Sequence, residues 1–190
     1  MGHAYNGGVA LDKSQALDQF LAQVERRAYR MAFIAVGRRE DALDMVQDAM
    51  TRLVQRYRDR QVSEWGPLFY RILQSIIRDG YRRGKVRNRV MQWLGSSDEE
   101  GEHEDPVTHF ADPATRTPEQ VLQSERTIQV LDAALRELPL RQQQVFLLRQ
   151  WEGLDVAATA QAMQISEGSV KTHYSRAVQG LREKLEGHWP

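Results

Sequence analysis

Cysteine is absent from all 190 residues. Disulfides and thiolate metal sites are thereby excluded, and the lack of thiols suits a reducing compartment. Aromatic residues make up only 8% of the chain. No stretch approaches the ~20 consecutive apolar residues that cross a bilayer. The segment from Met1 to Val9 has no basic start and no apolar run, so it does not read as a signal peptide. Residues 1–10 are expected to be a disordered lead-in. Neither charge sign dominates, because 26 basic residues face 26 acidic ones. The total therefore excludes a generally basic nucleic-acid binder, and any such role must come from where the charges sit. What is present is 41% hydrophobic, enough for a packed core. A soluble, cytoplasmic chain without membrane insertion is the resulting expectation.

The apolar residues repeat with helical spacing. Leu17, Phe20, Leu21, Val24, Ala28 and Met31 form one stripe, with Asp12 or Ser14 as its expected cap. Ala42, Met45, Val46, Ala49, Met50 and Leu53 form a second, after Gly37. A third opens at Pro67, which suits a first helical turn, and runs through Leu68, Phe69, Ile72, Leu73, Ile76 and Ile77. Three amphipathic helices with short joins predict a compact bundle over residues 11–93. Gly95 to Pro118 then brings Gly, Ser and three of the six prolines. Its stretch from Asp98 to Asp105 holds six acids and no base. Such a segment buries too little apolar surface to offset its ordering entropy, so residues 94–120 are expected to be a flexible acidic linker. Helical spacing returns over residues 121–186. The fold class predicted is all-α: two small helical domains joined by that linker.

The last two helices carry a helix-turn-helix pattern. Asp155 precedes Val156-Ala157-Ala158-Thr159-Ala160, whose small side chains allow two helices to cross closely. Ser166 caps the longer helix that follows, with Ile165 in the turn and Val170 facing inward. Its outward face offers Glu167, Ser169, Lys171, Thr172, Ser175 and Arg176, of which Ser, Thr and Arg can bond base edges or phosphates. In the first half, Pro67 to Arg89 holds seven basic residues: Arg71, Arg78, Arg82, Arg83, Lys85, Arg87 and Arg89. Only Asp79 opposes them, leaving a formal charge of +6. Such a face neutralises phosphates and releases counterions. Trp65 and Tyr70 lie beside it, divided between packing and stacking on unpaired bases. Two DNA contacts on one tether would gain from effective concentration.

In their order, these motifs resemble bacterial RNA polymerase sigma factors of the extracytoplasmic-function group. Asp41-Ala42-Leu43-Asp44-Met45-Val46-Gln47-Asp48 looks like the region-two helix that grips the β′ clamp helices. Leu68-Phe69-Tyr70-Arg71-Ile72, with Asp79 and Arg82-Arg83, resembles the promoter-melting helix. Leu138-Pro139, Val145 to Arg149 and Glu152-Gly153-Leu154 resemble the start of region four, and Ser166 to Thr172 its recognition helix. The family has Asn where this chain has Ser75, and a Trp-Leu pair where it has Leu68-Phe69.

The resemblance implies an initiation subunit rather than an enzyme. Asp41, Asp44, Gln47 and Asp48 would face the β′ clamp helices of core polymerase, whose β flap would take the second half. Residues Gln61 to Trp65 would form the loop that captures a flipped base. Trp65, Tyr70, Arg71, Arg78, Arg82 and Arg83 would hold the minus-ten element and the opened strand. Glu167, Ser169, Lys171, Thr172, Ser175 and Arg176 would enter the minus-thirty-five major groove. Partners implied are core polymerase, promoter DNA and an anti-sigma factor. No cofactor or metal is expected, since His103, Asp105 and His109 sit in the linker without a preorganised shell. A stand-alone helix-turn-helix regulator would explain the second half, but it leaves the basic helix and the Asp41–Asp48 segment without a role.

Overall fold

A computed structural model of the protein describes residues 7–93 and 128–186, with side chains from residue 13 onward except 88 and 90–92. The linker expectation, and the His103, Asp105 and His109 cluster within it, lie outside the described residues. The described residues are all-α. The first half holds α1 (Gly7–Val36), α2 (Arg39–Tyr57) and α3 (Val62–Trp93). In the second half residues 128–136 are helical (α4), followed by α5 (Leu140–Gln150), α6 (Val156–Met163) and α7 (Glu167–Leu185). None of the described helices is long and apolar enough to cross a membrane.

Two helix starts differ from the sequence expectation. Helix α1 already runs at Gly7, inside the expected disordered lead-in, so Asp12 and Ser14 lie within it and cap nothing. Helix α3 begins at Val62, five residues before Pro67. Glu64 supplies the reason: its carboxylate accepts from the Gln61 amide at 3.1 Å, half of a capping box. Gly66 before the proline has no Cβ to clash with the ring, so the helix passes through Pro67. Between α1 and α2 the chain reverses at Gly37, whose φ of +74° suits glycine. Its amide bonds the Phe33 carbonyl at 2.8 Å, closing the end of α1.

Ala42, Met45, Val46, Ala49 and Leu53 of α2 are buried at helical spacing, against Ala28, Met31 and Ala32 of α1 and Phe69, Leu73 and Ile77 of α3. Close approach of α2 and α3 is enforced at Gly80, where an added Cβ would lie 2.1 Å from the Met45 methyl. Leu135, Leu138, Val145, Leu147, Leu148, Val170, Ala177 and Leu181 are buried in the second half. These two sets join into one continuous core. The halves therefore pack face to face, an arrangement that separate bodies on a tether did not anticipate.

Within that shared core, polar groups also cross between the halves. Arg30 of α1 pairs with Asp132 of α4, both buried. Gln74 of α3 donates to Gln144 of α5 at 3.1 Å and approaches the Met31 sulfur at 3.0 Å. Gln143 donates to the Leu135 carbonyl and to that of Ile34 in α1. The Arg136 guanidinium lies 4.5 Å over the Phe33 ring. Paired in this way, buried amides and charges favour one register between the halves.

Candidate nucleic-acid interface

The helix-turn-helix is built from caps outward. Asp155 accepts from the Ala158 amide at 2.7 Å and starts α6. Ser166 accepts from the Ser169 amide at 3.2 Å and starts α7. Such caps contribute about 1 kcal/mol each. Between the helices Gln164 takes the left-handed conformation, φ 54°, and the Ile165 amide bonds back to the Ala160 carbonyl at 3.1 Å. A side chain there costs roughly 1 kcal/mol against glycine. Gln164→Gly is therefore expected to raise the thermal midpoint by several degrees, as read by circular dichroism. No rise would mean that the turn is not held in this conformation.

Val170, Ala177 and Leu181 of α7 face the core. Tyr174 stacks on Phe146 at 6.3 Å. The opposite face carries Glu167, Lys171, Thr172, Ser175 and Arg176, all exposed. Ser169 is half-buried and its hydroxyl lies 2.9 Å from that of Ser166, so its hydrogen bonding is partly spent on the cap. Thr172 donates to the Gly168 carbonyl at 3.0 Å, so its hydroxyl proton is spent on its own helix. Lys171, Ser175 and Arg176 are the side chains best placed to reach a groove.

The basic helix divides along its length. Arg82, Arg83, Lys85 and Arg89 are exposed near its C-terminal end. Arg87, also exposed, lies 3.5 Å from Asp41. Arg71 and Arg78 are half-buried, bonding the Tyr57 hydroxyl at 3.3 Å and the Ser75 hydroxyl at 3.4 Å.

Two aromatic expectations need correction. Trp65 is fully buried, its indole N–H donating to the Tyr57 carbonyl at 3.1 Å. Phe20 tilts against the same ring at 6.0 Å. It packs the core and does not face solvent. Residues 62–65 are the first turn of α3, so the exposed loop before it is 58–61 instead. Tyr70 is also buried, at 4% exposure, but by the other half of the chain. Its phenol donates to Glu152, which in turn lies 3.2 Å from Arg27. Burial, then the Glu152 charge, raises the phenol far above its ordinary range and keeps it a donor.

The acidic segment forms the outer side of α2. Asp44 and Gln47 are exposed, and Leu43 beside them is 48% exposed. Leu43 was missed because its neighbours define an inward stripe to which it does not belong. Its outward apolar body beside a carboxylate and an amide is the composition of a protein contact. Asp41 and Asp48 are already engaged: Asp41 lies 3.9 Å from Arg38, and Asp48 accepts two bonds from Arg52 at 2.8 Å. A 340 Å³ cleft is lined by Asp41, Asp44 and Asp48 together with Arg83 and Arg87 of α3.

A second cleft, 350 Å³, opens between the halves, with Arg78, Arg82, Arg141, Tyr81 and His173 in its wall. Burial, then Arg141 and Arg176, lowers the His173 pKa below its ordinary value. The imidazole is thus neutral at pH 7. Among the described residues no three His, Asp or Glu side chains converge as a metal cage.

Comparison with known proteins agrees with this arrangement. The family described as "Sigma-70, region 4" matches residues 128–181. The ECF RNA polymerase sigma factor SigE of Mycolicibacterium smegmatis is 27% identical over 90% of this chain. BldN of Streptomyces coelicolor, also an ECF RNA polymerase sigma factor, is 29% identical over 91%. The chain spans 62% and 61% of the lengths of these two relatives. The sigma factor RpoE, solved with the anti-sigma factor NepR from Bartonella quintana, shares the fold. Its TM-score is 0.63 at 20% identity, covering 89% of this chain and 96% of that one. CnrH, solved with the cytosolic domain of CnrY, gives a TM-score of 0.59 at 17% identity, over 94% and 97% of the two chains. The RNA polymerase sigma-E factor of Streptomyces avermitilis is 31% identical over 77% of this chain and 72% of its own length. With that degree of identity, and with region four and the sigma fold both present, the chain belongs to the extracytoplasmic-function family of RNA polymerase sigma factors.

Proposed function

We propose that this chain binds core RNA polymerase and directs it to promoters, without catalysing a reaction itself. In this reading α7 enters the minus-thirty-five major groove through Lys171, Thr172, Ser175 and Arg176, with Glu167 and Ser169 at its rim. Arg71, Arg78, Arg82 and Arg83 of α3 hold the minus-ten element and the opened strand. Asp41, Asp44, Gln47 and Asp48 of α2 face the polymerase β′ clamp helices, now joined by Leu43. The β flap takes the second half. Residues 11–93 and 121–186 act as the two functional domains, and the work is cytoplasmic. An anti-sigma factor is a further partner in this reading, since the structural relative RpoE was solved with the anti-sigma factor NepR.

One observation carries the reading: a helix-turn-helix with an exposed basic face shares its chain with a bundle that exposes both an acidic-apolar helix and a cationic one. A DNA reader alone needs only the first. Exposed charge complements a basic partner surface and is sensitive to salt.

The test is reconstitution with core polymerase on a linear promoter. Asp44→Ala with Gln47→Ala is expected to weaken core binding about tenfold, roughly 1.4 kcal/mol. Promoter-specific transcription should fall in step. Unchanged holoenzyme assembly would remove the β′ assignment. Tight, specific promoter binding by the chain alone, with no effect on polymerase, would identify a stand-alone regulator instead.

A further inference from the structure

The 350 Å³ cleft gathers cations from three helices. Arg78 and Arg82 of α3 and Arg141 of α5 line it, together with Tyr81 and with His173 of α7. Among the described residues no carboxylate lines it. Arg78 spends one donor on the Ser75 hydroxyl at 3.4 Å. Three guanidinia therefore share one concavity with no counter-charge in its wall. The field they set up is felt at His173, where burial, then the Arg141 and Arg176 charges, disfavours imidazolium. The His173 Nδ1 is also buried with no hydrogen-bond partner among the described residues.

The remaining wall has a different character, because Ile77, Leu140 and Met163 are apolar. A concave site that is largely apolar, with a few convergent polar groups, suits a small ligand, and its volume lies at the lower end of the usual range of about 300–1,000 Å³. A cube of that volume is about 7 Å on edge, well under the ~12 Å width of one major groove, so a duplex does not enter. An anion with a flat apolar body does. Guanidinia fork onto phosphate oxygens. Arginine and tyrosine faces stack on bases. A terminal phosphate carries about −1.5 to −2 at pH 7, so two linked phosphates roughly balance three guanidinia.

We propose that this cleft binds a nucleoside diphosphate, its phosphates held by Arg78, Arg82 and Arg141 and its base against Tyr81 and the apolar wall. Arg78 and Arg82 also belong to the surface proposed for DNA, so the two ligands exclude each other there. Binding of the small ligand needs neither DNA nor polymerase, however, and it stands or falls apart from the function proposed above.

Calorimetric titration of the whole chain with ADP tests it. Saturable one-to-one binding is expected, with a dissociation constant on the order of 100 µM or tighter. Arg141 is exposed, so Arg141→Gln should keep the fold by circular dichroism and weaken ADP at least about tenfold. Arg182→Gln removes the same charge from an exposed position outside the cleft wall and should change affinity less than about twofold. Inorganic pyrophosphate should bind about tenfold more weakly than ADP, for want of a base to stack. Adenosine should not bind at the same concentrations. Bound phosphate opposes Arg78, Arg82, Arg141 and Arg176 around the imidazole, with Tyr81 neutral beside it. ADP should therefore raise the His173 pKa in ring-proton magnetic resonance, with His173→Gln identifying the signal. Absence of saturable ADP binding overturns the site. Equal losses in Arg141→Gln and Arg182→Gln would reduce it to diffuse charge attraction and overturn it too. Pyrophosphate binding as tightly as ADP would refute the nucleoside, and adenosine binding as tightly would refute the phosphate cradle. A His173 pKa unmoved by bound ADP would place the ligand elsewhere.

Discussion

Trp65→Ala is expected to destabilise the first half by about 3–5 kcal/mol, the cost of emptying a large aromatic site in a packed core. The ring is fully buried, touches Phe20 and spends its N–H on the Tyr57 carbonyl. Removing it leaves a cavity under the α2–α3 turn and takes one of two donors from the Tyr57 carbonyl, which keeps the Arg60 amide at 3.0 Å. Trp65→Phe keeps most of the packing and loses chiefly the hydrogen bond, so about 1–2 kcal/mol is expected. Urea titration followed by circular dichroism measures both. Promoter opening per folded molecule should be unchanged in Trp65→Phe. If Trp65→Ala unfolded like the parent yet failed to open promoters, Trp65 would be a base contact and its buried position would not describe the working state.

Trp65 also shows where the sequence could be read and where it could not. The stripes of α1, α2 and α3 are local, so periodicity placed most of their buried residues. The caps at Asp155 and Ser166 are local too, and the helix-turn-helix followed from them. The start of α3 was missed because Pro67 is a strong signal and Glu64 a weak one. With the helix begun at Val62, Trp65 moves onto the same face as Phe69, Leu73 and Ile76, and its burial follows. Tyr70 differs in kind. Its burial depends on Glu152, 82 positions away, and no spacing within α3 could reveal that. Likewise Arg30 is an ordinary charged residue in α1 until Asp132 arrives from the other half. The surfaces expected to meet DNA were legible as charge on the outward side of a helix. Which of them the closed chain covers was not, because that is decided by tertiary contact alone.

Replacing Lys171 and Arg176 together by alanine is expected to weaken binding of holoenzyme to the minus-thirty-five element by roughly 2–4 kcal/mol, the sum of two exposed contacts on one helix face. The two side chains should fail differently. Lys171 presents a point charge, so Lys171→Ala should weaken binding to every sequence alike and lower the salt slope by about 1. Arg176 can fork onto a guanine edge, so Arg176→Ala should also relax preference at one base pair, by about 1–3 kcal/mol. Both are exposed and lie away from the buried Val170, Ala177 and Leu181, so the fold is not expected to change. Fluorescence anisotropy across a salt series, on a matched promoter and single-base variants, separates the two effects. Equal losses on all sequences for Arg176→Ala would make it another phosphate contact. Base reading would then fall to Ser175 and to Thr172, whose hydroxyl already bonds its own helix.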